Sequence, residues 1–211
     1  MSLAEFQTAV REAESAGEPL EALAYVVLLW HTGVRKSEAY ERLTEDVSVE
    51  SDFVIVDFHK RKKHGEEVPA LKIPRAFFGV EYYLLAWIES ARLMKPCKKQ
   101  LFYQLETEKT RTTAKGNTVT VKQRISKTVK ARWLFPNIGS TRSWELVKRV
   151  LGENYYPHYL RLRKLSSIGK NPKTRSLVHI KAVSGLKSVR AIEAYLGFDE
   201  ETQDEAMMGS E

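Results

Sequence analysis

Within this 211-residue chain, the stretch Tyr156-Pro157-His158-Tyr159-Leu160-Arg161-Leu162-Arg163 has the residue types and spacing best suited to chemistry. Pro157 suits the first turn of a helix, and from there the three-residue spacing sets His158 and Arg161 on one face, a turn apart. Such a pair can grip one anion. Arg161 offers a planar fork of donors that keeps its charge, and His158 can hold or give a proton near neutrality. In a basic chain the same pair also occurs as a solvated helix face. A second candidate is Arg35 in Thr32-Gly33-Val34-Arg35-Lys36-Ser37-Glu38. It lies between a helix that Gly33 can stop through a left-handed cap and a short helix that starts at Ser37. A side chain at such a junction can be aimed into a cleft by two rigid elements. Pairing of Arg35 with Glu38 or Asp46 is the plainer alternative.

The elements that must position these residues follow from periodicity. Leu3, Phe6, Val10 and Ala13 recur at helical spacing and predict an amphipathic helix over Leu3 to Ser15. Leu20 to Thr32 reads as a more buried helix, and Ser37 to Leu43 as a short third one. Phe53 to Phe58 is rich in branched and aromatic residues. Val68 to Ile73 is a weaker run, and Pro69 there suggests an edge strand. With Gly65 in the polar stretch between them, the two runs predict a β-hairpin whose tip carries Lys60, Arg61, Lys62 and Lys63. Phe77 to Leu93 reads as a core helix, flanked by Pro74 and Pro96. Lys109 to Arg132 holds eight Lys or Arg residues, no acid and six threonines. It fits either a long basic hairpin with Thr118 to Val121 in one strand, or a loop that orders on DNA. Ala131 to Pro136 reads as a short buried strand or turn, and Thr141 to Leu151 as a helix capped by Ser140 or Thr141. Two short helices are expected at Ser176 to Val183 and Lys187 to Leu196. Residues 1–198 are read as one domain that is mainly α with a small antiparallel β-sheet, and 199–211, with six acids and no base, as an acidic C-terminal tail.

Composition narrows the function classes. With 43% hydrophobic and 29% charged residues the chain can bury one sizeable core. A net charge of +7 and a pI near 9.4 point to a polyanionic partner, nucleic acid before others. The single cysteine, Cys97, cannot form an internal disulfide, and no Cys/His spacing resembles a zinc site. The longest apolar run, around Leu23 to Trp30, is far too short to span a bilayer, and no signal peptide is evident. A cytoplasmic, DNA-associated protein is the expectation.

Arg35 in Thr-Gly-Val-Arg-Lys-Ser-Glu, then His158-x-x-Arg161 after a basic hairpin and helices, then a lone tyrosine near the C-terminus, together resemble the tyrosine recombinase (phage integrase) family over roughly Leu20 to Leu196. Leu43, Asp46 and Leu134-Phe135-Pro136 stand where relatives tend to have such residues. Integrases of archaeal viruses or plasmids are the members it suggests. The resemblance implies Arg35, Lys60, His158 and Arg161 as catalytic residues. It implies Tyr195, in Gly185-Leu186-Lys187-Ser188-Val189-Arg190-Ala191-Ile192-Glu193-Ala194-Tyr195, as the nucleophile. Leu186 departs from the pattern, because the family usually has a phosphate donor there and leucine cannot donate; Lys187, or His179, is the candidate substitute. The family's separate N-terminal DNA-clamping domain has no counterpart in about twenty residues, so a catalytic fragment or a minimal enzyme is expected. Double-stranded DNA is the implied partner, in a homo-oligomer, a tetramer, on paired sites. Lys62, Lys63, Lys115, Lys122, Arg124 and Arg163 are the basic residues expected to contact the DNA.

A phosphodiester under attack gathers negative charge on its non-bridging oxygens, and preorganised cations aimed there are the strongest single means of lowering the barrier. Arg35 and Arg161 suit that role. Tyr195 would attack as the phenolate, with His158 as a proton acceptor, and Lys60 would protonate the departing 5′ oxygen. The scheme needs neither metal nor cofactor. Type IB topoisomerases share the same arrangement of residues, so DNA relaxation is an alternative. A DNA-binding relative that has lost the reaction is another, with Leu186 its best support. A metal hydrolase using His59, His64 and His158 is a more distant one. If Tyr195 is not the nucleophile, Tyr155, Tyr156 and Tyr159 are next in line.

Overall fold

A computed structural model of the chain describes residues 1–57, 70–75, 79–112 and 118–170, with strand pairing alone described between 102 and 124. The protein is mostly helical with small antiparallel sheets. At its centre is α2 (Leu20–Thr32), buried from Ala22 to Trp30. Its run Leu-Ala-Tyr-Val-Val-Leu-Leu-Trp is apolar all round because other helices cover it on several sides. They are α1 (Leu3–Ser15), α3 (Lys36–Tyr40), α4 (Glu81–Leu93), α5 (Ser140–Leu151) and α6 (Pro157–Lys170). Leu23, Leu28 and Leu29 are among the fully buried side chains, each contributing about 1.5–3 kcal/mol by leaving water. The amphipathic α1 turns Phe6, Val10 and Ala13 inward, and Phe6 stacks on Trp30 with ring centroids 3.9 Å apart. Ser2 and Glu5 close a capping box at its start.

Along the chain between α3 and α4 comes a three-stranded antiparallel sheet in the order β1 (Val47–Val49), β2 (Phe53–Val56), β3 (Leu71–Pro74). Val54 faces Ile73 and Val56 faces Leu71 across the β2–β3 pair. The expected hairpin is therefore present in its two strands, while its tip and Pro69 lie outside the described residues. β3 lies at the sheet edge and β1 was not foreseen. The polar crossing of α2 and α4 is a pair inside the core: His31 Nε2 lies 2.9 Å from Glu81 Oε1, both side chains almost completely buried.

β4 (Cys97–Thr112) and β5 (Thr118–Ala131) form a long two-stranded antiparallel ribbon, with an irregularity in register between Glu106 and Thr110. Of the two forms open for Lys109 to Arg132, the paired ribbon is the one observed, and it begins twelve residues earlier than the basic segment, at Cys97. Its base is bolted to the core. Lys99 Nζ donates to the Tyr40 and Phe135 carbonyls, and Trp133 Nε1 donates to the Cys97 carbonyl. Burial pulls the Lys99 ammonium down to about 8. Trp133, Leu134 and Phe135 are buried, Trp133 bridges to Leu43, and Trp87 Nε1 donates to the Leu134 carbonyl.

Several boundaries differ from expectation. α3 ends at Tyr40 because Arg42 and Leu43 leave it to pair with the Trp133-Leu134 segment, Leu134 N donating to the Arg42 carbonyl. α4 starts at Glu81, not Phe77, with positive-φ Gly79 just ahead of it. α5 starts at Ser140 with Gly139 as its cap residue and no side-chain capping bond, so neither Ser140 nor Thr141 acts as the cap. The two helices expected after Lys170 and the acidic tail lie outside the described residues. Among the described residues no helix is long and apolar enough to cross a membrane.

Candidate active site

α2 ends where Gly33 takes a left-handed conformation, φ 60°, and lets the chain turn back along α6. A Cβ on Gly33 would lie 2.8 Å from Lys164 Cβ and 2.9 Å from its Cγ, so the turn and α6 are in direct contact. Arg161 fastens them: its Nη1 donates to the Gly33 carbonyl at 2.8 Å, and the side chain is almost wholly buried. Two residues beyond the glycine, Arg35 caps α3. Glu38 receives the Arg35 backbone N–H at 2.8 Å and Nη1 at 3.0 Å, while the Arg35 side chain stays 47% exposed. Of the two acids that could pair with Arg35, Glu38 is therefore the partner. Asp46 is taken instead by the Leu43 N–H and by buried Arg42, 3.5 Å away. Arg42 also donates to the Glu38 and Asp57 carbonyls, which fixes the floor under α3.

These contacts bring Arg35, His158 and Arg161 to one cleft of about 400 Å³, lined also by Val34, Lys36, Ser37, Trp144 and Pro157. Arg161 lies at its floor, and the exposed Arg35 and His158 at its rim. Pro157 opens α6, as its fixed φ favours, so His158 and Arg161 share a face as their spacing predicts. The cleft carries three basic side chains, Arg35, Lys36 and Arg161, and the imidazole of His158. It is suited to an anion with several oxygens. Burial lowers the Lys36 pKa, and its Nζ donates to the Ser140 carbonyl at 3.3 Å. Tyr25 pins the cleft from beneath, its hydroxyl 2.6 Å from Ser143 Oγ and donating to the Lys36 carbonyl at 3.3 Å.

Other residues singled out in the sequence are placed elsewhere. Arg163 follows Arg161 by two positions and so points roughly 200° around the helix. Its guanidinium lies 3.4 Å over the Trp30 ring and donates to the Met1 carbonyl, a packing role on the far side from the cleft. Tyr155 and Tyr156 meet Tyr159 edge to face, and the Tyr159 hydroxyl accepts from the N-terminal ammonium. Lys122 and Arg124 lie on β5, opposite Glu106 and Gln104. Lys60, Lys62, Lys63, Lys115, Lys187 and Tyr195 lie outside the described residues, as do Leu186, His59, His64 and His179. Sequence reasoning missed Lys36 and Trp144 as cleft residues. For Trp144 a signal existed: α5 buries Ser143, Leu146, Val147, Val150 and Leu151, which leaves an aromatic ring on its polar face.

No family model matches the sequence, and no curated protein matches it. Solved structures do. A XerH site-specific recombinase bound to palindromic difH substrate, in a post-cleavage complex, aligns with 98% of this chain at TM-score 0.61 and 16% identity. A pre-cleavage complex of XerH with difH aligns with 96% at TM-score 0.59 and 17% identity. This chain spans about half the length of those chains, 52% and 50% respectively. At such identity the likeness is one of fold, and the fold is that of a tyrosine recombinase.

Proposed function

We propose that the protein is a site-specific DNA recombinase, an integrase, which cleaves and rejoins DNA through a covalent 3′-phosphotyrosyl intermediate. The observation that carries this reading is the convergence of Arg35, at the start of α3, with His158 and Arg161, from α6, in one cationic cleft on a tyrosine recombinase fold. In the proposed reaction the scissile phosphate sits between the two guanidiniums, which neutralise the charge that gathers on its non-bridging oxygens. The Tyr195 hydroxyl gives its proton to His158, and its oxygen forms the new bond to phosphorus. The bond to the 5′ oxygen breaks, and Lys60 supplies the proton that this oxygen takes. A 5′ hydroxyl from another strand reverses the attack, so strand exchange requires neither ATP nor metal. The solved neighbours are recombinases bound to DNA substrate, and this supports double-stranded DNA as the partner. Assembly as a tetramer on paired sites and an origin in an archaeal virus or plasmid rest on the resemblance of the motifs, and action in the cytoplasm on the single cysteine and the composition of the chain.

The test is a nicked suicide duplex incubated with the protein in excess chelator and without nucleotide. A protein–DNA adduct on a denaturing gel is expected, with peptide mapping placing the link at Tyr195 and Tyr195→Phe abolishing it while binding persists. Adducts that survive in Tyr195→Phe would move the nucleophile elsewhere. Binding without any adduct would favour a relative that has lost the reaction, and relaxation of supercoiled DNA without strand exchange would favour a topoisomerase.

A further inference from the structure

Trp144 is the one tryptophan of the four that is not buried. Trp30, Trp87 and Trp133 are 3%, 7% and 3% exposed, whereas Trp144 is 40% exposed and lines the cleft of Arg35 and Arg161. An exposed indole on a helix surface usually wags among rotamers, but this one is held. Its ring lies parallel to that of Tyr156, with centroids 5.1 Å apart and planes 5° from parallel. Tyr156 is braced edge-on by Tyr159, whose hydroxyl takes the N-terminal ammonium. The Lys36 ammonium lies 5.9 Å from the indole centroid, within cation–π range. The cleft therefore joins a preorganised flat aromatic surface to a cluster of cationic donors, and its volume of about 400 Å³ falls within that of small-molecule sites.

From this juxtaposition we infer that Trp144, backed by Tyr156, is a stacking surface for one unpaired base, and that the cleft binds a single nucleotide of an opened strand. The phosphate lies at Arg35 and Arg161 and the adjoining base lies on the face of Trp144 turned away from Tyr156. Every base has a π face, so such a platform is tolerant of sequence, and the face is free only when the base has left the duplex stack. Locking the ring before binding removes part of the ordering cost. This inference rests on the proposed function for the phosphate. It adds that the protein recognises opened DNA beside that phosphate, and Trp144 acts there as a positioning residue.

The experiment uses the full chain and two oligonucleotides of equal length and charge, hexathymidylate and the same backbone with abasic sugars throughout. Affinity is read by anisotropy of an end label, and contact by quenching of tryptophan emission, to which Trp144 is the accessible contributor. Hexathymidylate is expected to quench and to bind about 5- to 100-fold more tightly than the abasic strand. Trp144→Leu should bring the two affinities together by weakening the natural strand alone, while Trp144→Phe, which keeps a flat ring, should retain most of the difference. Arg35→Ala should weaken both strands alike. Equal affinities in the unsubstituted protein, or a difference that survives in Trp144→Leu, would overturn the platform. The underlying reading fails separately, by absence of the tyrosyl adduct on duplex DNA.

Discussion

Gly33→Ala is the substitution that most directly probes how the site is built. A left-handed conformation costs a non-glycine residue about 1–2 kcal/mol. At φ 60° alanine at position 33 meets that cost in full. The added methyl would also sit 2.8 Å from Lys164 Cβ and 2.9 Å from Cγ, atoms close to the backbone of α6 that cannot swing aside as a lysine tip can. Relieving such overpacking typically costs a further 1–3 kcal/mol or so. The expected loss is therefore about 2–5 kcal/mol of unfolding free energy, read as a lower urea midpoint with an unchanged slope. The two contributions can be separated, because Lys164→Gly removes the overlap and leaves the backbone cost. In that background Gly33→Ala should cost only the left-handed part, a coupling of about 1–3 kcal/mol between the two positions. Since the Arg161 fork is tied to the Gly33 carbonyl, any shift of α6 that accommodates alanine also moves Arg161 in the cleft. Cleavage should fall even at temperatures where the variant is folded. A Gly33→Ala protein within roughly 0.5 kcal/mol of the original, or additive effects with Lys164→Gly, would refute the contact as the reason for glycine.

Other substitutions test separate parts of the molecule. Arg35→Ala, at a half-exposed position, should leave the fold intact and lower the rate of DNA cleavage a hundredfold or more, about 3 kcal/mol by analogy with oxyanion donors, with a much smaller loss of binding; equal losses in both would mean that Arg35 only holds DNA. Lys99, with its pKa lowered from 10.5 to about 8 by burial, binds fewer protons when folded than when unfolded between those values. Stability should therefore rise with pH across that window by on the order of 2 kcal/mol, then fall above about pH 10 as unfolding frees buried Tyr25, whose pKa is raised by desolvation, to ionise; urea midpoints at stepped pH should show the rise flattened in Lys99→Met. Glu81→Leu, which strands His31 in the core between α2 and α4, should cost about 2–4 kcal/mol in urea denaturation, and adding His31→Leu should recover part of it.

The parts of this protein that were legible in the sequence are those whose signal is local. α1 and α2 are legible to their observed limits because α1 has an apolar periodicity, α2 an unbroken apolar run, and each is followed by a left-handed glycine, Gly17 and Gly33. β1 is three residues long and exists because β2 lies beside it, so nothing in Val47–Val49 alone announces a strand. The ribbon of β4 and β5 was half hidden for a related reason. Sheet periodicity is a burial signal, and among the described residues this threonine- and lysine-rich pair is a sheet of two strands with no third strand to enforce alternation. The signal of Trp144, a ring on the polar face of α5, marks an exposed aromatic but does not say which cleft it lines, since that depends on the elements that face it.

The candidate site divides along the same line. Arg35, His158 and Arg161 could be chosen by residue type and by the breaks in chain where they fall, but the choice between Glu38 and Asp46 as the partner of Arg35 could not. Both lie within reach along the chain, and what decides is that Arg42, buried beneath α3, has already engaged Asp46. The link from Arg161 to the Gly33 carbonyl was invisible for a stronger reason, since its acceptor is a backbone atom that any residue would carry. Yet this bond makes the two motifs one unit. The glycine allows α2 to end close against α6, the closeness brings its carbonyl to Arg161, and the arginine, held at the floor, meets Arg35 displayed on the same turn. A change at the glycine should therefore behave as a change in the cleft, though no side chain of Gly33 can ever touch a substrate.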